Sequence, residues 1–202
     1  MDYPREFHQW RTTLSGRQIE KVTFALWDTA TYTSAATVRL EMFTSVRATK
    51  DLSNVAQTGM LPAGTGMLIE SIRFIVKNHP RSTTAVATGT NQTGAIDDIM
   101  SLINTGWFTL VIGSKQYAQF PLHMLPSGSG VYGGGTGVTT WIDWGSNGMP
   151  DPRAVYSLPV PLFIEPGIQV VATCEWAAAL TLAGGNTPVS IVLDGEQVRP
   201  TQ

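Results

Sequence analysis

The residue types that do most protein chemistry are sparse in this sequence, and their spacing does not assemble a metal site. The three histidines are His8, His79 and His123, and no two of them are spaced as HxH or HxxxH. A metal site on one strand or helix needs such a pair together with a carboxylate, because the ligands must converge on one ion. The histidine spacing therefore predicts no metal and no metal-dependent catalysis.

The carboxylates fall into two groups. Asp97 and Asp98 are adjacent at the start of a segment with helical periodicity, where carboxylates are stabilised by the helix dipole. Asp143, Asp151 and Glu165 lie in segments rich in glycine and proline, where carboxylates can bind calcium or act in glycoside hydrolysis. Nothing in the sequence sets the separation of these three, so both chemistries stay open and neither is favoured.

Two further motifs are better explained by structure than by chemistry. Cys174 is the single cysteine and stands inside the apolar segment 168–176, which predicts a small core residue rather than a nucleophile. Residues 128–133 match GxGxxG, but the dinucleotide-binding form needs a strand before the motif and a helix after it. Pro126 precedes these residues and more glycine follows them, so the sequence predicts a loop, no bound cofactor and no enzyme.

Aromatic side chains in weakly structured segments are the candidate site residues. They are Phe7 and Trp10 near the N-terminus, and Tyr132, Trp141 and Trp144 in a glycine-rich stretch. Rings in such loops expose apolar area that a partner can cover, and aromatic anchors often carry interface energy. We interpret all five as interface candidates, with stacking on sugars as the alternative for the three in the glycine-rich stretch.

Alternating apolar residues predict the elements that position these rings. Period-2 patterns indicate strands at 21–27, 37–43, 67–77, 107–112, 115–120, 162–164, 168–176 and 189–193. About eight strands with long connections are typical of an all-β chain folded as a two-sheet sandwich or a barrel. The residues predicted to share the core are Val38, Leu40, Ile72, Phe74, Leu110, Val170 and Ile191.

One short helix is predicted over residues 94–104. Ile96, Ile99, Met100 and Ile103 recur with helical spacing and form the predicted buried stripe. Residues 113–114, Gly-Ser, separate two strand patterns and predict a hairpin with a type II′ turn. The remaining segments are an extended N-terminal arm over 1–20 and a long Gly/Trp loop over 121–152, too long for a simple connector.

The overall charge bears on the class of partner. Only 14% of the 202 residues are charged, and the formal net charge is −2. Nucleic-acid binding normally needs clustered Lys and Arg, so specific nucleic-acid binding is not expected. Low charge with an ordinary apolar fraction indicates a folded chain whose neutral surface partners can cover.

Several segments, taken in order, resemble jelly-roll capsid proteins of tailless icosahedral bacteriophages of the internal-membrane type. The segments are 59–64, 67–74, 96–117, 125–130, 156–167 and 193–195. The resemblance covers roughly residues 38–199 and rests on the order and texture of the segments rather than on one signature. It implies a single jelly-roll-like β-sandwich over 21–202, preceded by the arm.

The function implied by this resemblance is self-assembly without catalysis. The chain would be a capsid subunit in the virion, made in the host cytoplasm, with itself as the main partner in a trimer or pseudo-hexamer. Other virion proteins and an internal lipid membrane are the further partners that the resemblance implies. The alternative is a β-sandwich module that binds carbohydrate or a receptor, either lectin-like or a virion attachment domain.

Overall fold

The structure is a computed structural model of the chain. It describes residues 3–13, 18–55, 57, 59–76, 94–125, 131–136, 142–147, 156–182 and 185–201. Within these ranges the backbone is mostly β, as the sequence predicts. The two α-helices are α1 (Arg5–Thr13) and α2 (Gly94–Thr105), and a short 3-10 helix spans Leu122–Met124.

Ten strands are present in the described part of the chain. In order they are β1 (Ile19–Tyr32), β2 (Arg39–Met42), β3 (Gly66–Val76), β4 (Gly106–Ile112), β5 (Lys115–Pro121), β6 (Val131–Thr136), β7 (Ile142–Asn147), β8 (Ser157–Ile164), β9 (Val170–Trp176) and β10 (Thr187–Pro200). All of the strand pairs are antiparallel. Each predicted strand overlaps one of these, and β6 and β7 are additional.

The connectivity of the two main sheets is that of a jelly roll. One sheet has the order β1-β10-β3-β8 and the other has the order β2-β9-β4-β5, while β6 and β7 form a separate hairpin. With that hairpin set aside, the eight strands of the chain take positions 1-8-3-6 in the first sheet and 2-7-4-5 in the second. This arrangement is the double-sheet jelly roll built from two Greek keys. The predicted fold class is therefore confirmed.

The core between the sheets is formed by inward residues of both. Ile72, Phe74 and Ile191 from the first sheet are buried against Leu110 and Val170 from the second, as alternation predicts. Leu40 is only partly buried at the edge of this cluster.

The prediction for Val38 is wrong. Val38 precedes β2 and is 49% exposed. Its carbonyl oxygen accepts a hydrogen bond from the Trp176 amide, so its backbone lies at the end of the sheet, beyond the region that the opposite sheet covers.

Glycine is required at one turn and at one strand bulge of this framework. Gly113 has a φ of +62°, while Ser114 is not among the residues with positive φ, which fits the predicted type II′ turn between β4 and β5. Gly195 follows a bulge in β10, and a Cβ there would clash with the Leu68 carbonyl oxygen. A side chain at Gly195 would therefore force β3 and β10 apart.

Helix α2 has the predicted bounds within one residue, but its buried face is rotated from the prediction. Ile99 and Leu102 are buried and Ile103 is partly buried, whereas Met100 is 40% exposed. Ile96 lies outside the residues whose side chains are described. The indole Nε1 of Trp176 donates a hydrogen bond to the Leu102 carbonyl oxygen at 3.0 Å. This contact ties the last turn of α2 to the end of β9 and selects the Leu102 side as the inner face.

The N-terminal segment is a helix over Arg5–Thr13, which corrects the prediction of an extended arm over 1–20. Phe7 and Trp10 are three residues apart and therefore share one face of α1. That face packs on the outer surface of the first sheet, against Leu68, Phe163 and Val198. The periodic signal comprises only two apolar residues in a polar segment, which is why alternation and periodicity missed the helix.

The segment predicted as a long loop over 121–152 contains regular structure. It begins with the end of β5 and the 3-10 helix Leu122–Met124, and it continues into the β6–β7 hairpin. The hairpin lies beside α2. Gly133 and Gly134 of the segment pair with Gly145 and Trp144 across the hairpin.

Candidate functional site

The five aromatic candidates do not converge on one site. Phe7 and Trp10 are buried within their own chain, with the Phe163 ring 5.4 Å from each of their ring centroids. Tyr3 extends the cluster, at 4.8 Å from the Phe7 ring. Phe7 and Trp10 therefore anchor α1 on the sandwich of the same chain, and both side chains are almost fully buried there.

The three candidates of the glycine-rich stretch lie in or next to the β6–β7 hairpin. Tyr132 pairs with Ser146, and Gly134 pairs with Trp144. Trp141 lies outside the described residues, as does the first half of the GxGxxG motif. The second half of that motif, residues 131–133, enters β6. A strand follows the motif, so the helix that dinucleotide binding requires is not there.

The described part of the chain contains no cluster of metal-ligating side chains. No group of three or more His, Cys, Asp or Glu in that part could hold a metal ion. His8 and His123 are exposed, and His79 is outside the described residues. Burial, with a smaller effect of Glu175, raises the pKa of the Cys174 thiol. That thiol therefore stays protonated, as expected for a core residue.

Of the carboxylates singled out by the sequence, Asp98 and Glu165 are the two whose side chains the structure describes. Asp98 is buried in α2. Glu165 is partly buried in the turn after β8. Asp151 is outside the described residues, and so are the side chains of Asp97 and Asp143. The calcium and glycoside-hydrolysis readings therefore gain no support from geometry.

Glu165 contributes to a shallow cleft that the sequence did not predict. The cleft has a volume of about 250 Å³ and lies between α1, the β4–β5 turn and the turn after β8. Glu6, Glu165, Lys115 and Tyr117 line it together with the Phe163 ring. Burial raises the pKa of Tyr117, and the negative charges of Glu6 and Glu165 add to that effect. The cleft is a polar seam between α1 and the sandwich.

The end of the sandwich opposite this cleft contains more inserted structure. The connection from β1 to β2 is tied to the connection from β9 to β10: the Ala35 amide donates to Leu180 O at 2.9 Å, and the Leu182 amide donates to Ser34 Oγ at 2.8 Å. Helix α2, the 3-10 helix and the β6–β7 hairpin are inserted at this same end. We call it the α2 end. The hydrogen bonds between the β1–β2 and β9–β10 connections fix the described backbone of these two connections relative to each other.

Three exposed apolar side chains lie on elements of the α2 end. Val38, Met100 and Met124 are 49%, 40% and 41% exposed, and they belong to the start of β2, to α2 and to the 3-10 helix. Met and other large apolar residues are enriched at protein interfaces. Met100 is part of the predicted buried stripe and Val38 is part of the predicted core. The sequence pattern thus found apolar residues of this surface but assigned them to the interior.

A second exposed surface is the outer face of the sheet β2-β9-β4-β5. Trp107 on this face is 40% exposed, whereas its neighbour Phe108 is buried in the core. Trp107 was not a sequence candidate. The alternation in residues 107–112 already indicates that Trp107 faces outward, because it points Phe108, Leu110 and Ile112 inward and leaves Trp107 on the other face.

Comparisons with known proteins found no matching family model, no similar curated protein and no similar solved structure. None of the helices in the described part of the chain is long and apolar enough to cross a membrane.

Proposed function

We propose that the chain is a structural subunit that works by self-assembly into an icosahedral phage shell. The jelly-roll strand order is the observation that carries the proposal, because viral capsid proteins are among the main users of this fold. The same fold also serves lectins and cupins, so the fold alone does not decide the function. The α2 end supplies the second support.

The α2 end has the composition of a contact surface. Val38, Met100 and Met124 present apolar area on a hydrogen-bonded framework, which is the combination that a subunit interface uses. A neighbouring copy that covers these side chains removes them from water at a gain of roughly 25 cal/mol per Å² of apolar area. The predicted trimer or pseudo-hexamer is formed by such repeated contacts between copies.

The low charge of the chain agrees with this role and limits the other partners. With 13 Lys and Arg against 15 Asp and Glu, there is no excess of positive charge to neutralise a packaged nucleic acid. Contacts with other virion proteins, and with an internal membrane, belong to the same proposal. The place of action is the virion.

The test is assembly of the purified full chain, measured by sedimentation velocity and negative-stain microscopy. The variant Met100→Asp/Met124→Asp places two charges on the α2 end, and we expect it to abolish large particles while the far-ultraviolet circular dichroism stays unchanged. Val160→Asp is the matched control, because Val160 is 60% exposed on β8, away from the α2 end. A wild-type chain that stays monomeric up to high concentration, or a double variant that assembles like Val160→Asp, contradicts the proposal.

A further inference from the structure

The outer face of the second sheet brings an exposed ring and polar side chains into adjacent rows. The strand register places Trp107 of β4 beside Glu175 of β9. The next outward row contains Glu41 of β2, Thr173 of β9, Thr109 of β4 and Gln119 of β5. Neighbouring strands are about 4.8 Å apart, so these side chains form one continuous surface, here called the Trp107 face.

The Trp107 ring is the apolar platform of this face. It is 40% exposed on a central strand of the sheet, not at a fraying terminus. The electron-rich face of an indole attracts groups with partial positive charge, such as polarised C–H groups. An exposed tryptophan next to polar side chains can therefore hold the apolar side of a ligand while the polar side chains hold its hydroxyl groups.

Thr173 supplies the observation that points to a ligand. It is only 6% exposed, and it faces outward because Ala172 and Cys174 on either side belong to the core. Among the hydrogen bonds of the described residues, none involves the Thr173 hydroxyl. Buried polar groups are nearly always hydrogen-bonded, so this hydroxyl is a donor and acceptor held in place for a partner outside the chain.

The charges of the face argue for a neutral partner. Arg39 is the cation next to Glu175, and it is already paired with Glu41 at 2.8 Å and with Glu175 at 3.2 Å. An anionic ligand would have to compete with these two carboxylates for the guanidinium. The Gln119 side-chain oxygen already accepts a hydrogen bond from Gln116 at 2.8 Å. The groups that remain for a ligand are hydroxyls, the Gln119 Nε2 donor and carboxylate oxygens that accept hydrogen bonds, and these complement the hydroxyl groups of a sugar.

We propose that the Trp107 face binds a neutral saccharide. The sugar ring stacks on the Trp107 indole, and one of its hydroxyl groups bonds the Thr173 hydroxyl. Thr109 and Gln119 contact the next hydroxyl groups along the row. The proposal goes beyond shell assembly and does not depend on it, since a single chain presents the whole face.

The experiment is calorimetric titration of the full chain with neutral oligosaccharides of the α-glucan, β-glucan, mannan, xylan, galactan and chitin types. We expect at least one of the six to bind. Trp107→Ala should weaken that binding about tenfold or more, while Trp107→Phe retains most of it because a ring remains. Thr173→Val removes only the hydroxyl and should weaken binding about three- to tenfold. Trp27→Phe, on the other sheet, is the control and should change nothing.

Three results would overturn the proposal. One is that none of the six sugars binds at millimolar concentration. Another is that binding occurs but is the same in Trp107→Ala and in the wild type. The third is that Trp107→Ala dissociates an oligomer of the wild-type chain without any sugar binding, which makes the face an interface between copies. Failure of shell assembly gives none of these three results, so the two proposals are separately tested.

Discussion

Asp28 fixes the connection between β2 and β3 to the sandwich. Its side chain is fully buried and accepts hydrogen bonds from the Phe43 amide at 2.6 Å and from Arg47 Nε at 3.0 Å. Phe43 itself is buried with a φ of +67°, a conformation that costs about 1–3 kcal/mol for a residue with a side chain. The carboxylate therefore holds the chain in a bend that it would not adopt alone.

We expect Arg47→Ala to destabilise the protein by about 3 kcal/mol, because it leaves a buried carboxylate without its cation. Arg39→Ala is the control: Arg39 also pairs with carboxylates, but its side chain is 55% exposed, and such pairs contribute at most about 1 kcal/mol. Urea unfolding monitored by circular dichroism measures both. Equal losses in the two variants would show that burial of Asp28 does not set the strength of its ion pair.

Asn54 is a neutral side chain that, like Asp28, bonds to more than one group of the chain. Its amide accepts from the Trp27 amide at 2.8 Å and donates to the Ala25 carbonyl oxygen at 2.7 Å. One side chain thus occupies the free edge of β1 as a neighbouring strand would, which protects that part of the edge from pairing with another chain.

At the level of elements, α1 is an appendage with its own small core. Phe7 and Trp10 belong to a cluster with Phe163 that is separate from the main core between the sheets. A nine-residue helix is not stable alone in water, so α1 persists only while this cluster holds. Loss of the cluster should release α1 and leave the sandwich folded.

Trp10→Ala tests this separation. We expect trypsin to cleave at the exposed Arg11 much faster than in the wild type, while the melting temperature of the sandwich falls by only a few degrees. Phe108→Ala, in the main core, should instead cost about 3–5 kcal/mol and lower the melting temperature of the whole chain. If Trp10→Ala unfolds the sandwich as Phe108→Ala does, the two clusters form one cooperative unit.

The elements also show which features a sequence reveals. Strands such as β3 and β9 were predictable because alternation reports burial directly, and α2 was predictable because its apolar residues recur over three turns. Helix α1 was missed because two aromatic residues do not make a period. The Asp28–Arg47 pair and the orphan hydroxyl of Thr173 depend on contacts between elements, and one sequence contains no signal for those.

At the scale of the whole molecule, the distribution of charged side chains bears on which contacts could hold copies of the chain together. Apart from the buried Asp28–Arg47 pair, the described ion pairs, such as Lys21–Glu196 and Arg39–Glu41, lie at the surface of the chain. These pairs neutralise charge locally. Apolar side chains such as Met100 and Met124 are exposed at the α2 end. Contacts between copies through that end are therefore expected to be driven by apolar burial rather than by opposite charges.

The difference between apolar contacts and contacts of opposite charges predicts how assembly responds to salt. Raising sodium chloride from about 50 mM to about 500 mM shortens the Debye length from roughly 14 Å to roughly 4 Å, which weakens contacts that depend on exposed charges. Apolar contacts do not weaken in this way, and sulfate strengthens them because it is excluded from protein surfaces. We expect the assembled fraction, measured by sedimentation velocity, to be unchanged or higher in sodium chloride and higher still in sodium sulfate. Particles that dissociate at the higher chloride concentration would place the subunit contacts on charged side chains and away from Met100 and Met124.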